Sequence, residues 1–159
     1  MENYNTPALK RELSRYVSGY VDGEGCFCVS FSKRGKLKVG WETKPSLSVS
    51  QNSDRREVLD IIQKLFGCGF IRRDYSDKTL KYEIRSLEDL IEKIIPHFEK
   101  FPMISGKQKD FILFSDICKR MKNGSHLTTE GFRKIIQLAY QMNGSGKRKF
   151  TESKIISTL

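Results

Sequence analysis

The chain of 159 residues is poor in the residues that build several common kinds of protein site. It has only two histidines, His97 and His126, which are too few for a nuclease site of the histidine–metal type. Its cysteines include no CxxC pair, and Cys26 and Cys28 are too close in sequence for most zinc sites. We therefore expect reduced, mostly buried thiols in a reducing compartment, at Cys26, Cys28, Cys68 and Cys118.

Long hydrophobic runs are also missing. No stretch reaches the roughly 18 apolar residues of a membrane span, so we expect no contact with a membrane interior. The N-terminal segment MENYNTPALKREL lacks the apolar stretch of a secretory signal and the acid-free, Arg- and Ser-rich composition of a transit peptide. The expected location is intracellular. For a protein working in a chloroplast or mitochondrion, this N-terminus predicts that it is encoded and made in that organelle.

Positive charge, in contrast, is abundant. Lys and Arg number 29 against 19 Asp and Glu, which gives a net charge of +10. Such an excess favours a polyanionic partner, usually a nucleic acid. Charge alone does not separate DNA from RNA or from an anionic membrane, but the absence of a long amphipathic basic helix disfavours the membrane. The apolar share of 38% and charged share of 30% fit one soluble domain over residues 1–159.

Helical and strand periods alternate along the chain and predict an α+β fold with an antiparallel sheet. The first helix begins at Thr6-Pro7, an N-cap followed by proline, and stops at Gly23 and Gly25. In the second strand, Pro45 indicates a bulge or an edge. Asn143–Lys149 is interpreted as a flexible basic linker, so the core covers about 10–143, with linker and tail over 144–159. The other predicted elements are strands over 26–34, 37–51, 70–73 and 79–85, and helices over 53–65, 87–98, 107–121 and 129–142.

One face of the predicted sheet is apolar, and the other carries Ser, Lys, Arg and Glu side chains. A two-stranded ribbon fits the DNA major groove, where such side chains contact base edges. A solvated sheet face is the alternative interpretation, and the charge excess together with the motif described next favours DNA. The predicted DNA-binding residues are Ser30, Ser32, Arg34, Lys38, Glu42, Lys44, Ser46, Ser48, Arg72, Asp74, Lys81 and Glu83.

The segment VSGYVDGEG, residues 17–25, ends the first helix and opens the first strand. Gly19 and Gly23 lie one turn apart, so a second helix could approach them closely. Glu24 adds a negative charge where the last helix carbonyls already carry partial negative charge. A hard divalent cation bound by this carboxylate and the Gly23 carbonyl would relieve the repulsion. An exposed glutamate without a ligand is the alternative.

VSGYVDGEG resembles the LAGLIDADG motif of homing endonucleases, and the resemblance extends over roughly residues 10–150. It implies an αββαββα core, with a saddle-shaped antiparallel sheet and helices on one face. It also implies site-specific cleavage of double-stranded DNA with Mg²⁺ or Mn²⁺, with Ca²⁺ binding but not supporting cleavage. By the same resemblance Glu24 and the Gly23 carbonyl hold the metal, and Gln51 contacts an active-site water. Arg55 supports the metal site, and Lys107, with Lys109 as the alternative, stabilises the developing phosphate charge.

The motif occurs once, whereas a complete site of this family needs two acids, so the resemblance implies a homodimer with a twofold axis. The expected interface residues are Ser18, Gly19, Asp22 and Gly23. Such a dimer would cut a pseudo-palindromic site and leave 3′ overhangs, and its charge of about +20 would make binding strongly salt-dependent. The alternatives are a maturase that binds intron RNA and a DNA-binding protein on the same fold that does not cleave.

Overall fold

The computed structural model describes residues 6–159, and Met1–Asn5, part of the segment assessed for targeting signals, lie outside the described residues. The four strands form one sheet in the order β1-β2-β4-β3, and β4 pairs antiparallel with both β2 and β3. The α+β prediction is thus confirmed. The elements are α1 (Pro7–Glu24), β1 (Gly25–Lys33), β2 (Trp41–Asn52), α2 (Glu57–Phe66), β3 (Phe70–Arg73), β4 (Thr79–Ile84), α3 (Leu87–Asp89), α4 (Ile95–Lys100), α5 (Lys107–Lys122), α6 (Thr129–Ala139) and α7 (Glu152–Ile156).

The chain divides into two compact units. Of the described residues, the first unit comprises 6–26 and 47–108, and the second comprises 27–46 and 109–159. Among the helices of residues 6–159, none has the length and apolar character needed to cross a bilayer.

In the first unit, α1 begins and ends as its sequence predicts. The Thr6 hydroxyl accepts a hydrogen bond from the Leu9 amide at 3.3 Å, and Pro7 occupies the first turn. The helix ends at Glu24 because the chain turns into β1 at Gly25. A Cβ atom at Gly25 would lie 2.6 Å from the Val21 Cγ1 atom and 2.8 Å from the Val21 oxygen, so only glycine fits this close approach.

The sheet of the first unit has one buried and one polar face. The register pairs Val49 with Tyr82 and Ser48 with Glu83, so like side chains face the same way across β2 and β4. Leu47, Val49, Tyr82 and Ile84 are fully buried. Ser48, Ser50 and Lys81 keep part of their surface on the opposite face, where the sequence predicted DNA contacts.

In the second unit, buried and exposed side chains also alternate along β1, and the buried ones form the core. Phe27 and Val29 are fully buried. The Phe27 ring lies 5.4 Å from that of Phe111 and 5.2 Å from that of Phe114, both in α5. The ring of Phe31 meets that of Phe132 in α6 edge to face at 5.7 Å. Aromatic packing of this geometry joins β1 of the second unit to its helices.

The predicted starts of β2 and α2 are wrong. β2 begins at Trp41 rather than at residue 37, because residues 34–40 form successive turns, with Gly40 at a φ of 74°. Lys38 therefore lies in this turn with an exposed side chain and not on a strand. Residues 53–55 form a 3₁₀ turn ahead of α2, so Arg55 precedes the helix that was expected to carry it.

The segment 143–149 is not a free linker. The side-chain amide nitrogen of Asn143 donates to the Phe27 backbone oxygen at 2.7 Å. The Arg148 guanidinium donates to the Val29 backbone oxygen at 2.8 Å and to the Ala139 backbone oxygen. β1 is an edge strand, and unpaired carbonyls at a sheet edge invite pairing with another chain. These two side chains bind two of the edge carbonyls, so the segment protects the edge of β1.

The tail from Phe150 is also ordered against the second unit. The Trp41 indole donates to the Thr158 hydroxyl at 2.9 Å, and its ring meets that of Phe150 edge to face at 5.0 Å. Ile155 of α7 is fully buried. The tail therefore contributes to the core instead of extending away from it.

The helix predicted over 87–98 is broken in its middle by a π-helical segment, Leu90–Ile94, between α3 and α4. Pro96 follows it, and proline lacks an amide donor and clashes with the preceding turn of a regular helix. The wider π turn accommodates the proline and lets the chain continue as α4.

His97 on α4 joins that helix to α1 inside the first unit. Its Nε2 atom lies 3.1 Å from the Ser18 hydroxyl, which donates to the Phe101 oxygen at 2.7 Å. The imidazole packs edge to face on Phe66 at 4.9 Å. Burial lowers the pKa of His97 to about 4, and a hydrogen bond with the Ser14 backbone offsets only part of that effect.

The lowered pKa of His97 predicts a loss of stability in mild acid. The unfolded chain binds a proton at His97 below about pH 6.5, and the folded chain does so only near pH 4, so unfolding becomes more favourable as the pH falls. We expect His97 to remove about 2 kcal/mol of unfolding free energy between about pH 7 and pH 5. Denaturant titrations of wild type and His97→Gln across this range measure it. An equally steep pH dependence in the variant would contradict the assignment.

Candidate active site at the end of α1

The chemically distinctive part of the first unit is the C-terminal end of α1. Glu24 is the last residue of the helix and is exposed, as is Gly23 before it. The Lys107 ammonium, from the first residue of α5, donates a hydrogen bond to the Gly25 oxygen next to Glu24. Lys109 has an exposed side chain. Of the two candidate lysines, it is Lys107 whose ammonium bonds beside Glu24 within the first unit.

Asp22 holds the loop that leads into Lys107. Its carboxylate accepts hydrogen bonds from the Ile104 amide at 3.2 Å, from the Ser105 amide at 3.1 Å and from the Ser105 hydroxyl. The Lys107 amide in turn donates to the Ser105 hydroxyl at 3.3 Å. Burial acts to raise the pKa of Asp22, but the bonds from Ser105 and Ile104 outweigh it and lower that pKa. Asp22 is thus engaged within its own chain.

Gln51 lies near the end of β2 and contacts α1 through Tyr20. The Gln51 amide nitrogen donates to the Tyr20 hydroxyl, and its oxygen accepts from the Asn52 amide at 2.7 Å. Burial raises the pKa of Tyr20, the Gln51 bond lowers it, and the charge of Glu24 raises it while that of Arg55 lowers it. Glu24 thus ends α1, Lys107 bonds to the carbonyl next to it, and Gln51 bonds to Tyr20 one turn earlier, while Arg55 acts on Tyr20 through its charge.

The residues expected at a partner interface differ in their surroundings. Ser18 is 3% exposed, and its hydroxyl donates to the Phe101 oxygen of its own chain. Gly19 and Gly23 are exposed on α1, and a Cβ atom at either position would meet nothing within 4 Å. These glycines leave a shallow, open strip along the helix.

In the first unit, the predicted DNA-binding residues form an ion-pair network on the polar sheet face. Glu83 is 7% exposed and accepts from Arg72 at 2.9 Å and from Arg85 at 2.5 Å. Lys81 pairs with Asp74 at 3.0 Å. Burial acts to raise the pKa of Glu83, but both guanidinium groups outweigh it and lower that pKa. Glu83 therefore fixes the two arginines, and the Arg72 guanidinium also donates to the Arg73 oxygen at 3.5 Å.

The second unit carries a similar but smaller network. Glu42 pairs with Arg34 at 2.7 Å and with Lys44 at 3.3 Å, and the Ser32 hydroxyl lies 3.5 Å from the same carboxylate. Ser30 is exposed, and Ser46 and Ser48 are half-buried in their respective units. Arg34 and Lys38 lie in the turn between β1 and β2, and the other predicted contacts of this region, Ser30, Ser32, Glu42, Lys44, Ser46 and Ser48, are on the strands that were expected to carry them.

A divalent cation would find only part of its coordination in one chain. Residues 6–159 contain no group of three or more His, Cys, Asp and Glu side chains that could hold a metal ion. The Asp22 carboxylate is already bonded by Ser105 and Ile104, so Glu24 offers the one carboxylate of the motif without such bonds. Mg²⁺ is commonly held by one or two carboxylates together with phosphate and water, and Glu24 fits that role in part.

A family model described as LAGLIDADG endonuclease matches residues 17–118. The chain belongs to the LAGLIDADG endonuclease family. A curated relative, "Probable intron-encoded endonuclease 2" of Neurospora crassa, is 30% identical over 139 residues, covering 87% of this chain and 31% of the relative. This chain therefore spans about a third of that relative's length.

Two solved structures of the family give the same fold. The homing endonuclease I-TnaI has a TM-score of 0.80 and 34% identity, covering 91% of this chain and 94% of that one. I-SmaMI, bound to an uncleaved DNA target in the presence of calcium ions, has a TM-score of 0.81 and 32% identity. There the match covers 86% of this chain and 46% of the other. These matches confirm the predicted LAGLIDADG homing-endonuclease fold.

Two of the positions at which this chain differs from the LAGLIDADG motif lie in the candidate site. Glu24 replaces the second aspartate of LAGLIDADG and keeps its charge, with one more methylene group. Tyr20 replaces a leucine and thereby adds a hydroxyl, which bonds Gln51. The sequence alone did not single out Tyr20, although a polar group at an apolar motif position was the available signal.

Proposed function

We propose that this chain is a site-specific endonuclease that hydrolyses double-stranded DNA with a divalent cation, acting as two paired copies. One observation carries the proposal. Inside the first unit, the Lys107 ammonium bonds beside the exposed Glu24 carboxylate. Gln51 and Arg55 act on the adjacent Tyr20. A carboxylate, an ammonium and an amide so arranged supply what hydrolysis of a phosphodiester needs: a metal ligand, a cation for the phosphate and a group that orients water.

Glu24, with the Gly23 carbonyl, would hold the cation. When bound, the cation would polarise the scissile phosphate and favour formation of the attacking hydroxide. The name of the I-SmaMI structure, which includes calcium ions, supports a divalent cation in this family. Mg²⁺ is the expected cofactor, Mn²⁺ a substitute, and Ca²⁺ an ion that binds without supporting cleavage.

The residues of this chain have separate tasks in such a reaction. Lys107 is placed to donate to a phosphate oxygen as negative charge develops there. Gln51, fixed at both ends of its amide, orients water, and Arg55 adds positive charge nearby. Asp22 fixes the loop before Lys107 through Ser105.

DNA would lie along the polar sheet face. Arg72 and Arg85 keep donors beyond those used by Glu83, and arginine commonly recognises guanine through two parallel hydrogen bonds. The net charge of +10 adds attraction to the phosphate backbone. The DNA-bound state of I-SmaMI supports this partner for the family fold.

A second copy would complete the site. One chain offers one motif carboxylate, and two scissile phosphates need two. Gly19 and Gly23 leave an open strip on α1 onto which the same strip of another copy could pack. This chain matches 94% of I-TnaI but only 46% of I-SmaMI, so its fold forms nearly all of one relative and about half of another. We expect a pseudo-palindromic target and 3′ overhangs.

The "intron-encoded" name of the Neurospora relative supports an intron reading frame as the source of this chain. The expected organellar location stays a prediction. Intron RNA stays a second candidate partner, and the metal-dependent assay below distinguishes cleavage from binding alone.

The test is selection of cleavable sequences from a randomised duplex library. We expect the protein with Mg²⁺ to cut a limited set of related, near-palindromic sites, and with Ca²⁺ to retain the same duplexes uncut. EDTA should abolish cutting, and added salt should weaken binding steeply. Retention of DNA without cutting in Mg²⁺ or Mn²⁺ would favour the non-cleaving alternative, and selective retention of structured RNA would favour the maturase.

A further inference from the structure

Tyr20 lies one turn before Glu24 in α1 and is half-buried. Its hydroxyl contacts the side-chain amide of Gln51, which belongs to β2. The contact joins the helix that ends at the candidate metal ligand to the strand that ends at the candidate water-orienting residue.

The direction of this hydrogen bond follows from the other end of the amide. The Asn52 backbone nitrogen can only donate, and it lies 2.7 Å from one end of the Gln51 amide, which must therefore be the oxygen. The nitrogen then faces Tyr20, and the phenol oxygen accepts. Gln51 keeps one N–H donor, and Tyr20 keeps its own O–H donor, for a further acceptor.

We propose that Tyr20 is a positioning residue that holds the Gln51 amide in a single orientation, with its free N–H donor directed to the reacting water or phosphate oxygen. This inference rests on the proposed function and adds a residue to its site. Without the hydroxyl, the amide nitrogen loses its partner and the Gln51 side chain gains rotamers. The donor would then be correctly placed for only part of the time.

The electrostatic surroundings of Tyr20 agree with this role. Burial raises the pKa of Tyr20, the Gln51 bond lowers it, and the charge of Glu24 raises it. The phenol therefore stays protonated at neutral pH and offers a donor rather than a negative charge. The name LAGLIDADG has leucine at this position, and a leucine side chain cannot form the bond.

The test compares Tyr20→Phe with Gln51→Ala and with the double variant. Phenylalanine keeps the ring and removes only the hydroxyl. We expect the single-turnover cleavage rate of Tyr20→Phe to fall about 10- to 100-fold, the effect of a misplaced reacting group. DNA affinity in Ca²⁺ should remain unchanged, and the midpoint of urea unfolding should stay close to that of the wild type. The double variant should cleave no more slowly than Gln51→Ala, because both changes remove one function.

A matched control comes from the same helix. Tyr16 lies one turn earlier, with its ring 6.1 Å from that of Tyr20 and its side chain exposed. Tyr16→Phe removes the same atom and should cleave at the wild-type rate. Two outcomes would overturn the proposal: wild-type cleavage by Tyr20→Phe, or an equal loss when the change is made in the Gln51→Ala background.

A measurement that does not depend on DNA cleavage separates this inference from the proposed function. The side-chain amide resonances of Gln51 should shift and broaden in Tyr20→Phe and should remain unchanged in Tyr16→Phe. If the wild type cuts no DNA but these resonances respond as expected, the positioning contact holds and the proposed function fails. If wild type cuts and the resonances do not respond, the role assigned to Tyr20 is wrong.

Discussion

Replacing Glu24 by glutamine is expected to abolish metal-dependent cutting while leaving DNA binding intact. Glutamine has nearly the same shape, so α1 and its turn into β1 should be unchanged. It lacks the charge that would hold the cation. Loss of a cation that contributes several kcal/mol, taken as about 4 kcal/mol, lowers the cleavage rate roughly 10³-fold.

The affinity for DNA should stay the same or increase. Glu24 places a negative charge where a phosphate is expected, so its neutralisation removes a repulsion. Single-turnover cleavage in Mg²⁺ and equilibrium binding in EDTA, where no cation is bound at Glu24, measure the two effects separately. Glu24→Asp should keep part of the activity, because aspartate is the motif residue at this position.

The matched control is Glu12→Gln, because Glu12 is an exposed carboxylate of the same helix, three turns earlier. It changes the net charge by the same amount and should cleave like the wild type. Full metal-dependent cleavage by Glu24→Gln would refute the assignment of the metal carboxylate. Equal losses in both variants would mean that net charge, and not a metal ligand, explains the result.

The order of elements and the faces of the sheet could be predicted because burial follows the strand and helix periods. Alternation along β1 separated Phe27 and Val29 from Ser30 and Ser32, and the structure keeps that division. The capping residues Thr6 and Pro7 predicted the beginning of α1 because their effect is local.

Contacts between distant residues could not be obtained in this way. Periodicity indicates which face a side chain takes, but not which carbonyl it reaches. Asn143 and Arg148 looked like linker residues because they are polar, and yet they bond the carbonyls of Phe27 and Val29. Tyr20 was overlooked for the same reason, since its partner Gln51 lies 31 positions away.

The candidate site likewise combines residues that the sequence could identify with residues that only the structure could place. Its acid and glycines belong to one contiguous motif and could be recognised together. The choice between Lys107 and Lys109 depended on where the 101–107 loop is held, which Asp22 determines through Ser105. The predicted contact of Glu83 with DNA stays a prediction, and the structure adds that Glu83 pairs with Arg72 and Arg85, which the sequence did not indicate.

Replacing Gly19 by leucine is expected to separate the paired copies without harming the single subunit. A Cβ atom at Gly19 meets nothing within 4 Å in its own chain, so a larger side chain has room there. Removal of a glycine from the middle of a helix should even stabilise the subunit, by about 0.5–1 kcal/mol. Against a closely packed partner helix, the same side chain would clash.

The effect on pairing should be large because the twofold axis of the proposed dimer would bring the change into the interface twice. Overpacking costs about 1–3 kcal/mol per site, so two sites weaken association by at least about 30-fold. Sedimentation equilibrium should show a shift from dimer to monomer, with the melting temperature of the monomer retained. Cleavage should fall in parallel with the dimer fraction, since each copy supplies one Glu24.

Gly144→Leu provides the control that makes the result specific. A Cβ atom at Gly144 also meets nothing within 4 Å, and this glycine lies in the second unit, far along the sequence from α1. This variant should remain paired and active, so a loss seen only with Gly19→Leu would locate the contact on the Gly19–Gly23 strip. A Gly19→Leu protein that stays dimeric and cuts DNA would mean that the copies meet elsewhere, and a wild type that is monomeric both alone and on DNA would remove the need for a partner's Glu24.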